Sequence, residues 1–302
     1  MGKLILIDGH AILHRAYHAL PPLTNRNGEQ TNAVYGFVTM MLRILETHKP
    51  TNLIVAFDLP QPTFRQQKYT AYQAKRPEMQ SNLAEQIPLL HSLLDAMNIS
   101  YFSVSGYEAD DVIGTLAAQS DCETVIVTGD RDMLQLVNDH VKVCVPVKGL
   151  SETKMYDPDV IVGEFGVAPT QWVDVKALKG DASDNYSGVP GIGPKTAEKL
   201  IKQFGTLENL YGKLGQLGKS DPRVAKKLAE GAESAGLAQQ LAKIVTDVPV
   251  KLDLETSAVE KIKWGEGVKF MREALGFKSI ADKIEKNYLK ITPPEDPQLK
   301  LI

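Results

Sequence analysis

The sequence predicts an α/β fold, a largely parallel central sheet flanked by helices, followed by a smaller helical part. Three observations carry this. Short β-rich apolar runs at residues 3–7, 52–57, 99–104, 123–128 and 141–147 alternate with stretches of helical periodicity. Four of those runs stop at or just before acids, where an open parallel sheet places its site. Near Pro158 the β runs give way to a polar helical pattern broken by glycines.

Composition bounds the reading. The chain has 302 residues, 43% hydrophobic and 24% charged, as in a soluble globular protein of one large or two ordinary domains. A net charge of −3 gives no global signature of nucleic-acid binding, so any basic surface is local. The N-terminal apolar run is too short for a signal peptide or a membrane span. Cys122 and Cys144 make neither a disulfide framework nor a zinc pattern, which suits a reducing cytoplasm.

Lys3 to Ile7 is a strand stopping at Asp8, and the helix Ala11 to Ala19 follows. Its His10, His14 and His18 recur every four residues. The stretch lacks the Glu of a His-Glu-x-x-His zinc helix, so packing or surface roles are the commoner use of that spacing. Pro21 to Gly28 is a loop. Thr31 to His48 is a helix with Val34, Phe37, Val38, Met41, Leu42 and Leu45 on one face. The strand Asn52 to Phe57 ends at Asp58. Residues 60–82 then interleave Arg65, Lys68, Lys75 and Arg76 with Phe64, Tyr69 and Tyr72, a mixture that suits phosphate contact with base stacking. It suits a solvated loop with a short helix as well.

Ile87 to Met97 is a helix, and Ile99 to Val104 leads into Gly106-Tyr107-Glu108-Ala109-Asp110-Asp111. The three carboxylates fall in the first turn of a helix continued by Val112, Ile113, Leu116 and Ala117. Helix capping rewards such acids by only about 0.3–1 kcal/mol each. The strand Glu123 to Thr128 ends in Gly129-Asp130-Arg131-Asp132, and Val141 to Val147 is a further strand.

Asp159 to Lys179 reads as helix. Gly180-Asp181-Ala182-Ser183-Asp184-Asn185 and the glycine hairpin Gly188 to Lys195 follow, running into the helix Thr196 to Phe204. Such a hairpin leaves backbone N–H groups free to meet an anion, and Lys195, Lys199 and Lys202 add charge. The pattern is that of a helix-hairpin-helix, which holds duplex DNA through its phosphates; a bare glycine-rich cap is the alternative. Lys219, Arg223, Lys226 and Lys227 form a second basic cluster. Residues 265–285 read as a last helix pair, and 291–302 as a tail or linker.

The acids demand cations. Asp8, Asp58, Glu108, Asp110, Asp111, Asp130, Asp132, Asp181 and Asp184 converge at one edge if the sheet forms as described. Two like charges 4 Å apart repel by about 4 kcal/mol at an effective dielectric of about 20. Several such pairs rival a domain's whole stability of roughly 5–15 kcal/mol. All-oxygen ligands select Mg²⁺ or Mn²⁺ over zinc, and hydrolysis with bound metal is the economical chemistry.

These residues carry a resemblance. The order Asp8-Gly9, Ala56-Phe57-Asp58, Phe64-Arg65, Gly106 to Asp111, Thr128 to Asp132, Gly180 to Asn185 and Gly188-Val189-Pro190-Gly191-Ile192-Gly193 resembles the flap endonuclease family, in particular the 5′ nuclease (5′-3′ exonuclease) domains of bacterial DNA polymerase I. The likeness spans residues 3 to about 285. It implies a PIN-like domain over residues 1–168 with a helical arch near 60–82, a helix-hairpin-helix domain over 169–262, and C-terminal helices and tail over 263–302. The implied activity is metal-dependent hydrolysis of DNA phosphodiesters at 5′ flaps, nicks or junctions in replication and repair, by a cytoplasmic monomer.

By the same resemblance, Asp8, Asp58, Glu108 and Asp110 hold one divalent ion. Asp130, Asp132 and Asp181 hold a second, with Asp111 and Asp184 close by. Arg15, Arg65 and Arg76 are the catalytic cations near the phosphate. Tyr72, Gln73, Lys75 and Arg76 belong to the arch that meets single-stranded DNA. Gly188, Val189, Gly191, Ile192, Gly193, Lys195, Thr196 and Lys199 form the duplex-holding hairpin, which in the family also takes K⁺. Two departures stand out. The family lysine after the arch tyrosine is Gln73, so Lys75 is expected to supply its charge, and Tyr186-Ser187 replace the usual Ile-Pro. A DNA-junction binder with little catalysis and a PIN-like ribonuclease are the competing readings.

Overall fold

The computed structural model describes residues 2–149 and 152–289. The tail expected at 291–302 lies outside them. Six strands form one sheet: β1 (Lys3–Asp8), β2 (Asn52–Ala56), β3 (Ser100–Phe102), β4 (Glu123–Val127), β5 (Val141–Lys148) and β6 (Glu152–Tyr156). Their order is β3-β2-β1-β4-β5-β6. The first five are parallel, as the alternation of strands and helices requires. β6 is an antiparallel edge strand paired with β5, and the sequence reading missed it. It is mostly exposed or half-buried, so it carries no apolar run to betray it.

Alternate residues of each central strand serve opposite faces. Leu4, Leu6, Ile54 and Ile126 enter a core shared with the helix Ala109–Ala118 and the later helices. Ile5, Ile7, Leu53, Val55, Val125 and Val127 enter a second core with the helices Gly9–Ala19, Asn32–His48 and Gln86–Met97. The chain's later helices join this second core: Asn52 bridges to Ala258, and Met271, Leu275 and Ile280 pack into it.

Two expected helical stretches come out differently. Residues 159–179 form two helices, Pro158–Phe165 and Trp172–Lys179, because Gly166 adopts φ 71° and caps the first. The last helix pair forms as expected, parted at Gly276, whose φ of 75° ends its first member. The segment expected as a helical arch has only short helical pieces, Phe64–Lys68 and Ser81–Ala84, while residues 70–75 form turns with Gln73 at φ 57°. Among the described residues no helix is long and apolar enough to cross a membrane.

Candidate active site

The strand order reverses beside β1, with β2 on one side and β4 on the other, so the carboxyl ends of β1 and β4 flank the crevice where such sheets hold ligands. Asp8 ends β1 and caps the helix Gly9–Ala19, its Oδ1 accepting from the Ala11 N–H at 3.0 Å. Its Oδ2 accepts from the Thr128 hydroxyl at 2.7 Å, and the same hydroxyl accepts from the Asp130 N–H at 3.0 Å. Thr128 therefore ties the two strand ends together, a role the sequence reading did not assign. Asp58 follows β2 and accepts from the Ala109 N–H at 2.8 Å, which docks it on the helix carrying Glu108, Asp110 and Asp111. Its own N–H donates to His10 Nδ1 at 3.1 Å.

This first cluster is under electrostatic stress. Burial and the nearby Asp58 push the Asp8 carboxyl up to about 7. Burial pushes Glu108 up to about 7 although Arg65 opposes it. Asp110 is raised well above the carboxylate range by burial and by Asp130, Asp8, Asp58 and Glu108. No described residue donates a hydrogen bond to the Asp110 carboxyl. Crowded carboxyls pushed upward by burial and by one another are what a hard divalent ion relieves, and the donor set is all carboxylate.

Asp132, Asp181 and Asp184 form a second cluster, each offering an oxygen within 4.8 Å of the others. Asp130 stands between the two clusters, accepting from the Asp132 N–H at 2.7 Å. The second cluster has its own cation: Lys176, from the helix Trp172–Lys179, bonds both Asp132 and Asp181. Lys176 was not singled out from sequence. Its signal was a charge inside the apolar run Val175-Lys176-Ala177-Leu178, where only 6% of it stays exposed. Burial raises Asp132 to about 7, with Asp130 adding and Lys176 opposing. Burial would raise Asp181 also, yet hydrogen bonds from Lys176 and Ser183 hold it at about 2.

Several expected roles need correction. Asp111 does not face a metal. It is fully buried, its oxygens taken by the Arg65 guanidinium at 2.6 and 2.8 Å and by the N–H groups of Glu108 and Val245. Arg65 is likewise not free to meet a phosphate. It is 2% exposed, and it also donates to Glu108 at 2.9 Å and to the carbonyls of Leu241 and Lys243. Its role is to fix Glu108 and to clasp the 241–245 stretch. Tyr72 is buried, stacked near-parallel on Tyr186 at 6.3 Å, so it is not available for base stacking in this conformation.

Gln73 lies inside the site. Its amide donates to Glu108 at 3.2 Å and to Asp184 at 3.3 Å, while Arg76 donates to Asp184 at 2.7 Å. Lys75 is exposed and makes no described bond to the acids. Arg15 is half-buried and donates to the Gly149 carbonyl at 3.2 Å, with no described bond to the acids. The three histidines do not converge: His10 turns to Asp58, while His14 and His18 face each other, Nε2 to Nε2 at 3.3 Å.

The hairpin divides into anchors and a face. Gly188 packs so closely that a Cβ would lie 2.3 Å from the Leu178 carbonyl. The Val189 N–H is spent on Leu178, and the Val189 and Ile192 side chains are buried. These three support the hairpin and offer no surface. Gly191, at φ 78°, Gly193, Lys195 and Lys199 are exposed, and Thr196 is half-buried. The amides of Gly191, Gly193 and Lys195 have no partner among the described residues. Lys227 donates to the Gly191 carbonyl at 3.0 Å, which brings this member of the second basic cluster against the hairpin.

Comparison with known proteins agrees with this geometry. Residues 3–166 match the model of the 5′-3′ exonuclease N-terminal resolvase-like domain, and residues 167–264 that of the 5′-3′ exonuclease C-terminal SAM fold. DNA polymerase I of Bacillus caldotenax is 42% identical over 94% of this chain and 32% of its own length. That of Chloroflexus aurantiacus is 44% identical over 85% of this chain and 28% of its own. The chain thus spans about a third of the curated relatives it matches. Among solved structures, a bacteriophage T5 flap endonuclease pseudo-enzyme–product complex with DNA and metal ions superposes with a TM-score of 0.64 at 21% identity. The match covers 95% of this chain and 98% of the phage chain, a likeness of fold.

Proposed function

The chain belongs to the 5′-3′ exonuclease family, and from that premise we propose that it is a metal-dependent, structure-specific 5′ nuclease acting on DNA at 5′ flaps, nicks or junctions. The observation that carries the reading is the first acidic cluster, where Asp8, Asp58, Glu108 and Asp110 gather at the strand ends and burial with mutual repulsion pushes Asp8, Glu108 and Asp110 upward, a stress that a cation relieves. Asp8, Asp58, Glu108 and Asp110 would hold one divalent ion and Asp130, Asp132, Asp181 and Asp184 a second, with Mg²⁺ or Mn²⁺ fitting the all-oxygen donor set. When bound, such ions supply Lewis acidity to the phosphate and lower the pKa of an attacking water.

The chain's own residues do the rest. Thr128 fixes Asp8, the Ala109 N–H fixes Asp58, and Arg65 fixes Glu108, so the ligand oxygens are set before an ion arrives. Gln73 and Arg76 sit over the acids, where they would meet the phosphate once the carboxylates turn to metal. The exposed hairpin amides with Lys195, Lys199 and Lys227 would grip duplex phosphates without reading sequence. The Gly191 carbonyl and its neighbours are the place for K⁺, unless Lys227 already fills that need. On this reading the α/β part carries the chemistry and the helical part holds the duplex, in a monomer.

The test is cleavage of an end-labelled 5′-flap DNA with mapped products, beside the same flap in RNA. Mg²⁺-dependent products ending in 5′-phosphate at the junction support the reading. A preference for RNA, or binding without turnover in Mg²⁺ and Mn²⁺, would overturn it. Gly191→Asp should leave the α/β site intact and weaken duplex binding, since the new side chain meets Lys227 and repels phosphate.

A further inference from the structure

The acids of the proposed nuclease site are not equally served by the protein. Among the described residues one cation bonds the first cluster, Arg65, which is buried beneath Glu108 and fully engaged. The second has an ammonium among its ligand oxygens. Lys176 Nζ bonds Asp132 Oδ1 and Asp181 Oδ2, two of the three residues whose oxygens cluster within 4.8 Å. The third, Asp184, is bonded by Arg76 and Gln73. Lys176 is not a surface lysine resting there by chance. It is 6% exposed on a helix whose Val175, Ala177 and Leu178 are buried, so its stem is held in the core.

A divalent ion in a carboxylate site lies about 2.0–2.1 Å from its oxygens if Mg²⁺. Those positions overlap the hydrogen-bonding shell that Lys176 already occupies. A cation of charge two and an ammonium at such range repel strongly at any effective dielectric of a partly buried site. The lysine must swing away, or the ion must bind with fewer oxygens.

Resting on the nuclease reading above, we propose that Lys176 is the resident cation of the second cluster, so that this chain holds one divalent ion tightly at Asp8, Asp58, Glu108 and Asp110 and a second only weakly. The ammonium bridges Asp132 and Asp181 and holds their carboxyl groups in place. The second ion then enters chiefly with DNA, whose phosphate adds the negative charge the cluster lacks. Lys176 is a positioning residue in this account, acting through Asp132 and Asp181.

The experiment is a titration of the metal-free full chain with Mn²⁺, free ion being counted by electron paramagnetic resonance. The wild type should show one tight ion and a second at least about tenfold weaker. Lys176→Met should tighten the second by about tenfold or more, Lys176→Arg should not, and Asp132→Asn should abolish the weak class alone. Two equally tight ions in the wild type overturn the inference while leaving the nuclease reading standing, and this arm decides even if Lys176→Met fails to fold. A second class no tighter in folded Lys176→Met overturns it too. If no ion binds tightly and Asp58→Asn changes nothing, the inference and the reading beneath it both fail.

Discussion

The two acidic clusters are made of the same residue types and face the same crevice, yet the protein treats them differently. In the first, Asp8, Glu108 and Asp110 are all driven upward, because burial and mutual repulsion outweigh Arg65 at one edge. In the second, Lys176 and Arg76 sit among the carboxylates and oppose burial: Asp181 is held at about 2, although Asp132 still rises to about 7 and Asp184 is raised as well. Carboxylates with a resident cation are ordered as they stand. Those without one store repulsion that only an added cation removes.

The largest effect expected is on stability, from the cation that supports the first cluster. Arg65→Met leaves Asp111 buried and uncompensated, and should cost about 3–5 kcal/mol. Urea unfolding measures it. A loss below roughly 1 kcal/mol, as for an exposed pair, would show that the first cluster does not depend on Arg65.

Next comes catalysis. Asp110→Asn removes the carboxylate with no hydrogen-bond donor of its own and should lower single-turnover flap cleavage by about 10²–10³-fold. Asp184→Asn, at a carboxylate already paired with Arg76, should cost less. Equal losses would erase the distinction between the clusters.

The third is the pH dependence of stabilisation by Mg²⁺. A carboxyl raised from 3.8 to about 7 keeps its proton in the folded chain while the unfolded chain gives it up. Without metal, Asp8 and Glu108 therefore stabilise the fold fully below about pH 4, and that contribution is lost as pH rises through about 7. Bound ions displace those protons, so the Tm gain from Mg²⁺ should grow as pH rises from about 5 to 8. At 100-fold over its Kd an ion adds about 2.7 kcal/mol. A gain independent of pH would mean that the ion binds elsewhere.

The smallest concerns the segment lying over both clusters. Gln73→Lys would put an ammonium between Glu108 and Asp184, raising the Tm of the metal-free chain and speeding cleavage by about tenfold or less. Lys75→Ala should change the rate little, because Lys75 is exposed and makes no described bond to the acids. A large loss there would restore the sequence-based expectation that Lys75 replaces the family lysine.

The strand-end acids were legible because a parallel sheet gives them one possible edge. Asp8, Asp58, Asp110 and Asp130 needed only the strand pattern to be found. What the sequence hid were pairings across long separations. Arg65 and Asp111 are typical site residues by type, and only their mutual contact, with Leu241 and Lys243 behind, reveals them as structural. Lys176 was hidden for the opposite reason, since a lysine in an apolar run reads as the solvent side of a helix. The turns at residues 70–75 escaped because the cation and aromatic pattern there has helical spacing while Gln73 takes a left-handed backbone.

The Arg65 clasp also bears on how the chain reaches its folded state during synthesis. One guanidinium gathers the short helix at 64–68, the helix start at 108–111 and backbone carbonyls at 241 and 243, partners more than 170 residues apart. A ribosome delivers residue 65 long before residue 241 exists. Until then Arg65 and Asp111 can neutralise each other, but two of the guanidinium's N–H groups have no acceptor, and the segment leading to Tyr72 lacks the surface of Leu241 and Ala242 against which it packs. The crevice of the first cluster is therefore assembled late, with the helical part, although every one of its acids lies in the first half of the chain. Nascent chains arrested with residue 200 exposed should stay sensitive to protease between residues 64 and 76, and chains arrested beyond residue 250 should not.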